Sequence, residues 1–176
     1  MKFIPLPLEG AFIIEPEPVT DERGFFARTF CRKEFTSRGL KPDLQQCSIS
    51  FNLRKNTLRG MHYQRAPHEE ARLVRCTMGG IFDVIIDLRP DSATYRQWSG
   101  IELTALNRKS VYIPEGFAHG FFTQADNCEV YYQMSESFHP ECAAGVRWND
   151  PAFSIRWPGD ACIMSDRDRN YPDYGD

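Results

Sequence analysis

The sequence predicts an all-β fold, a sandwich or a small barrel, and three observations carry that reading. Apolar or alternating runs of strand length recur along the chain, at residues 11–14, 25–30, 45–51, 57–64, 72–77, 81–88, 98–103, 110–113, 120–123 and 129–134. Turn signals separate them, among them Asp21-Glu22-Arg23-Gly24, Gly79-Gly80, Arg89-Pro90-Asp91-Ser92, Pro114-Glu115-Gly116 and Asp126-Asn127. Short strands at this spacing are the pattern of sandwiches and small barrels. Helical signal is scarce: only residues 31–38 read as a helix, with polar residues around Phe35 and a stopping Gly39.

Within that order, residues 81–88 (Ile-Phe-Asp-Val-Ile-Ile-Asp-Leu) are apolar on both faces, which predicts a central strand covered on both sides. The strand period of two then puts Asp83 and Asp87 on one face. No repeat, low-complexity tract or linker divides the chain, and 176 residues fit one domain spanning 1–176. With 41% hydrophobic and 26% charged residues the chain can bury a core and has no compositional reason to be disordered.

A net charge of −3 and the absence of any basic run beyond Arg54-Lys55 exclude general nucleic-acid affinity, which needs a concentrated cationic surface. An anionic ligand would have to be met by a few local arginines. The first residues run into Pro5 and Pro7 before a long apolar stretch forms, so neither a signal peptide nor a membrane span is expected, and a cytoplasmic location follows. The six cysteines are scattered without a C-x-x-C and read as free thiols.

Chemistry concentrates in a few segments. Leu58-Arg59-Gly60-Met61-His62-Tyr63-Gln64 sets a cation, a glycine, an imidazole and an amide in one strand. Strict alternation places Arg59 and His62 on opposite faces. For both to serve one pocket, a bulge near Gly60 must shift the register, and a glycine inside a strand often marks one. The competing reading is an ordinary strand with a core histidine. His119, fed into a new strand by a Pro/Gly turn, reads by itself as a hydrogen-bonded structural residue. Tyr131 and Tyr132 must point to opposite faces, so at most one enters a barrel. The alternating charges of Asp166-Arg167-Asp168-Arg169 read, on composition alone, as a solvated loop, and so do His68, Glu69 and Glu70.

In order and spacing, several segments together resemble the dTDP-4-dehydrorhamnose 3,5-epimerase family of the cupin superfamily, over nearly the whole chain. They are Asp21-Glu22-Arg23-Gly24-Phe25-Phe26, residues 46–52, residues 57–64, Phe82-Asp83-Val84 with Asp87-Leu88-Arg89, residues 113–120, Arg147-Trp148-Asn149-Asp150-Pro151 and Ser165-Asp166-Arg167-Asp168. The resemblance implies a cupin-type jelly roll, that is, a double-stranded β-helix barrel. It also implies a homodimer with a dTDP-4-keto sugar in each barrel, part of each site coming from the partner, and no metal or organic cofactor. By the family's pattern His62 is the general base, Asp168 its hydrogen-bonded partner, and Tyr132 the proton donor on the opposite face of the sugar. Arg23 and Arg59 would hold the diphosphate and Phe26 would stack near the base, with Gln46, Ser48, His119 and Arg167 lining the nucleotide or sugar.

The chain departs from that pattern in places. Arg72 stands where the family usually has an enolate-stabilising lysine, Ser48 where members commonly have asparagine, and Arg28 and Ala143 where many have glutamate. Arg28 and Arg72 join the expected site on this account.

The implied reaction has its own physical logic. Hydrogens on C3 and C5 flank a C4 ketone, so removing either gives an enolate whose charge falls on the C4 oxygen and needs a fixed donor or cation. Imidazole titrates near neutrality, and an adjacent carboxylate fixes its tautomer and stabilises the imidazolium. Inversion then requires reprotonation from the far face, which a phenol can perform. Three other readings stand beside this one: inversion at C3 alone or on a different nucleotide sugar, a metal-dependent cupin oxygenase using His62, His119 and a carboxylate, and a non-catalytic binding module. Metal-binding cupins supply an H-x-H pair, then a glutamate and a later histidine. Here His62 is followed by Tyr63 and Gln64, and residues 68–70 come too late, so no metal is expected.

Overall fold

The computed structural model describes residues 1–175; Asp176, the last position of the expected 1–176 span, lies outside the described residues. Two antiparallel sheets face each other. One has six strands in the order β1 (Lys2–Pro5), β2 (Phe12–Glu15), β10 (Ser110–Ile113), β7 (Arg72–Met78), β12 (Cys128–Met134) and β5 (Gln46–Asn52). The other has five: β13 (Ala143–Gly145), β6 (Leu58–Gln64), β11 (Phe117–Thr123), β8 (Gly80–Asp87) and β9 (Trp98–Thr104). From β5 onward the chain passes back and forth between the sheets, except at the β8–β9 hairpin, and that connectivity is a jelly roll. A hairpin of β3 (Val19–Asp21) and β4 (Gly24–Phe26) stands apart, and two short helices, α1 (Arg32–Thr36) and α2 (Asp166–Arg169), complete the elements.

The strand period explains where the core sits. Ile81 and Ile85 of β8 point between the sheets and meet Val74, Val111, Val130 and Phe121. Val84 and Ile86 point the other way, against Met61, Ala118, Val146 and Phe153. This is the two-sided covering expected of residues 81–88. On the outer face of the six-stranded sheet, Phe35 of α1 is 1% exposed and packs with Ile14, Leu73 and Tyr112. Each such large side chain, fully buried, is worth about 1.5–3 kcal/mol, which holds so short a helix in place. Tyr132 packs against the inter-sheet cluster, where the apolar interior gives way to polar residues.

The structure corrects some element readings. Residues 27–30 do not extend β4 and residues 117–119 belong to β11, while β1, β3 and β13 fall outside the anticipated runs. The tail also forms a second helix, α2, in place of a loop. Its cause is an N-cap: the Ser165 hydroxyl accepts from the Asp168 backbone N–H at 3.1 Å. All six cysteines are unpaired. Among the described residues, no helix is long and apolar enough to cross a membrane.

Candidate active site

The barrel interior opens into a cavity of about 490 Å³, within the range of small-molecule sites. Gln46, Ser48, Arg59, His62, Arg72, His119, Tyr132 and Arg167 all line it.

Arg59 and His62 share this cavity because β6 carries the register shift that their spacing demands. Against β11, His62 pairs with His119 and Arg59 with Phe121, so three steps on β6 match two on β11. Gly60 makes the shift possible, with φ of +144° and its Cα face so close to Gly120 that a Cβ would lie 2.6 Å from the Gly120 Cα. No side chain fits there. Arg59 is then fixed by donating from Nε to Asn52 Oδ1 at 2.7 Å.

His62 Nε2 lies 2.7 Å from Asp168 Oδ1, and the other Asp168 oxygen accepts from the Gly60 backbone N–H at 3.2 Å. Asp168, only 3% exposed, is therefore no part of a solvated loop. Burial opposes its ionisation, but the bond to His62, the charge of His62, the Gly60 N–H and Ser165 outweigh that, and its pKa falls below the usual value. Asp168 is the third residue of α2, where a capping-box carboxylate would turn back to the helix start. Here it is diverted to the imidazole. With the carboxylate ionised, Nε2 carries the shared proton and Nδ1 is left as the basic nitrogen.

Tyr132 enters from the opposite sheet, in register with Ser48 on β5, and meets the His119 ring edge-on at 5.9 Å between centroids. Burial, with the charge of Asp83, pushes its phenol well above the ordinary tyrosine pKa, against the pull of Arg72 and Arg59. The phenol stays protonated at neutral pH and can act as a donor. Tyr131 points to the other face, beside Cys47.

His119 is 3% exposed and its Nε2 lies 2.7 Å from Oδ2 of Asp83, itself 0% exposed. The reading of His119 as a hydrogen-bonded residue holds, and its partner is one of the two aspartates that the strand period put on one face. The other, Asp87, is held down to about 2: burial works against ionisation, while bonds from Arg89, Ser92 and Thr94 prevail. The metal-centre reading would need His62 and His119 to converge, yet each Nε2 is turned onto its own carboxylate. His68, Glu136 and His139 bring their ligand atoms within 4.8 Å of one another, away from both of these histidines, with the His68 and His139 rings stacked at 3.5 Å between centroids.

Arg23, Phe26 and Arg28 do not line the barrel cavity. Arg23 is 85% exposed at the β3–β4 turn and bonded to Asp21, and Arg28 pairs with Glu34 at 3.7 Å. Phe26 borders a separate cavity of about 340 Å³ with Phe25, Arg75 and Arg108.

The structure adds residues that sequence reasoning missed. Tyr171 lines the cavity and presents its ring edge-on to His62 at 5.9 Å; its only signal was its place just past the Asp168 helix. Glu70 also lines the cavity, largely buried and paired with Arg72, which overturns its reading as a solvated residue.

A jelly-roll barrel holding an imidazole–carboxylate pair on one sheet and a protonated phenol on the other is an acid–base site of the cupin type. The chain belongs to the dTDP-4-dehydrorhamnose 3,5-epimerase family, whose model matches residues 5–176. It is 46% identical to the dTDP-4-dehydrorhamnose 3,5-epimerase of Methanothermobacter thermautotrophicus, over 97% of this chain and 92% of that protein. Two crystal structures of enzymes of that name superpose closely. That from Elizabethkingia anophelis has a TM-score of 0.96 at 36% identity, covering 99% of this chain and 96% of the other. That from Bacillus anthracis, with TDP and PPi bound, has a TM-score of 0.94 at 37% identity, covering 98% of each chain.

Proposed function

We propose that this chain is a cofactor-independent isomerase that inverts C3 and C5 of a dTDP-4-keto-6-deoxyhexose, turning dTDP-4-dehydro-6-deoxy-D-glucose into dTDP-4-dehydro-L-rhamnose. The observation that carries this reading is the His62–Asp168 pair, 2.7 Å apart and open to a cavity that Tyr132 faces from the other sheet. His62 removes the proton beside the ketone, and Asp168 stabilises the imidazolium. Arg72 meets the charge that builds on the C4 oxygen, and Tyr132 returns a proton from the far face. Arg59 binds the diphosphate, with Gln46, Ser48, His119 and Arg167 completing the nucleotide and sugar contacts.

The same reading makes the protein a cytoplasmic homodimer of single-domain subunits. The edge strand β5 leaves Ile49 62% and Phe51 46% exposed, and Val19 and Phe26 on the hairpin are more exposed still. An apolar edge of this kind is a liability unless another chain covers it. A second copy seated there would let Arg23, Phe26 and Arg28 serve the partner's cavity. Sedimentation of the purified protein checks the dimer.

Incubation with the keto sugar nucleotide in D₂O tests the reaction, with deuterium expected at both C3 and C5. Label at C3 alone would make the enzyme a mono-epimerase, and label at neither carbon would end the proposal.

A further inference from the structure

Arg72 stands at the mouth of β7 with its guanidinium crossing the barrel. Its Nη1 donates to the backbone carbonyl of His62 on the opposite sheet at 3.0 Å. Its Nε donates to Glu70 Oε1 at 3.0 Å, and Nη2 donates to the same oxygen. Both side chains are largely withdrawn from solvent, at 12% and 10% exposure, and both line the cavity. Of the five N–H groups of a guanidinium, three are thus engaged by the protein and two are left to the cavity.

A lysine at this position would need no such arrangement. An ammonium is a compact charge with three rotatable donors, whereas a guanidinium is a plane that serves an oxyanion only when its fork is correctly turned. An oxyanion site also works by being fixed before charge develops. A lone arginine on a flexible stem does not meet that condition. Glu70 supplies it from one side and the His62 carbonyl from the other, and the second contact ties the plane to the strand that carries the base. The arrangement also sets the order of charges. The carboxylate lies on the Nε side, so the guanidinium would stand between it and any substrate oxygen met by the free N–H groups.

We propose that Glu70 is a positioning residue, acting through Arg72, that orients the guanidinium toward the enolate oxygen of the substrate. This rests on the epimerase reading, and the experiment separates the two. Single-turnover deuterium uptake from D₂O at C3 and C5 is measured for wild type, Glu70→Ala, Arg72→Ala, the double variant and Glu70→Gln, with dTDP affinity and thermal melting recorded for each. Absence of uptake by wild type would sink the epimerase reading itself.

Given wild-type uptake, Glu70→Ala is expected to slow the chemical step about tenfold while dTDP affinity holds, a modest share of what a positioned group contributes. The double variant should be no slower than Arg72→Ala, because nothing remains to be positioned. Glu70→Gln should recover part of the rate, since its amide oxygen still accepts from Nε. If Glu70→Ala is as fast as wild type, or costs its full factor again in the Arg72→Ala background, the proposal is overturned. Equal losses of rate and dTDP affinity would likewise overturn it, by showing a merely structural role.

Discussion

The molecule contains the same pair twice. His62–Asp168 and His119–Asp83 each join an imidazole Nε2 to a carboxylate oxygen at 2.7 Å, and the two histidines are register partners on adjacent strands. Their surroundings differ. The His62 side chain is 30% exposed to the cavity, and its aspartate comes from a helix far along the chain. The His119 side chain is 3% exposed, its aspartate sits on the neighbouring strand, and the second oxygen of that aspartate has no hydrogen-bond partner among the described residues. A pair that faces space where a substrate fits can move a proton. A pair buried this deeply between the sheets holds its place, even where the His119 ring reaches the cavity wall, and its charge must stay compensated.

His62→Ala should lower turnover about 10²- to 10⁴-fold, since a positioned base is lost, and leave a folded protein that still binds dTDP, as calorimetry would read. His119→Ala should act first on stability, by about 3–5 kcal/mol in urea unfolding, because Asp83 is left buried without its partner. Similar stability losses in both variants would erase the distinction.

Asp168→Asn keeps the shape and removes the charge, and should slow turnover by less than His62→Ala, because the base remains but its imidazolium loses support. The Asp168 pKa is lowered on folding, so the stability its charge contributes is complete above the ordinary aspartate value of about 3.9. That contribution disappears as pH falls through the lower folded value, so melting curves of wild type and Asp168→Asn should converge in acid and separate above pH 4. Smallest of all, Ser165→Ala should cost about 1 kcal/mol through the lost helix cap, with a few-fold fall in turnover as Asp168 loosens.

Much of this was legible in the chain. The conflict between the spacing of Arg59 and His62 and the strand period pointed to a bulge at Gly60, and the two-faced apolar run 81–88 pointed to a covered strand. What escaped has physical causes. Ala143–Gly145 are small residues with no period to read, and β1 and β3 are too short to show alternation. The α2 segment is four residues of alternating charge, so composition spoke for solvent, while its Ser-x-x-Asp cap spoke for a helix start. Glu70 reads as solvated because it follows His68 and Glu69 in a polar run, and its partner Arg72 lies only two residues on, where the strand begins. The pairing of Asp83 with His119 joins residues 36 apart, a contact that local pattern does not encode.

The back-to-back glycines at 60 and 120 bear on how new substrate ranges can arise from this scaffold. At Gly120 an added methyl would meet the Arg59 carbonyl at 2.7 Å and the Met61 sulfur at 2.6 Å. Diversification is therefore channelled away from the two positions that fix the spacing of the imidazoles and toward lining positions such as Gln46 and Ser48. A randomised library should return survivors with varied residues at those two sites and glycine alone at positions 60 and 120.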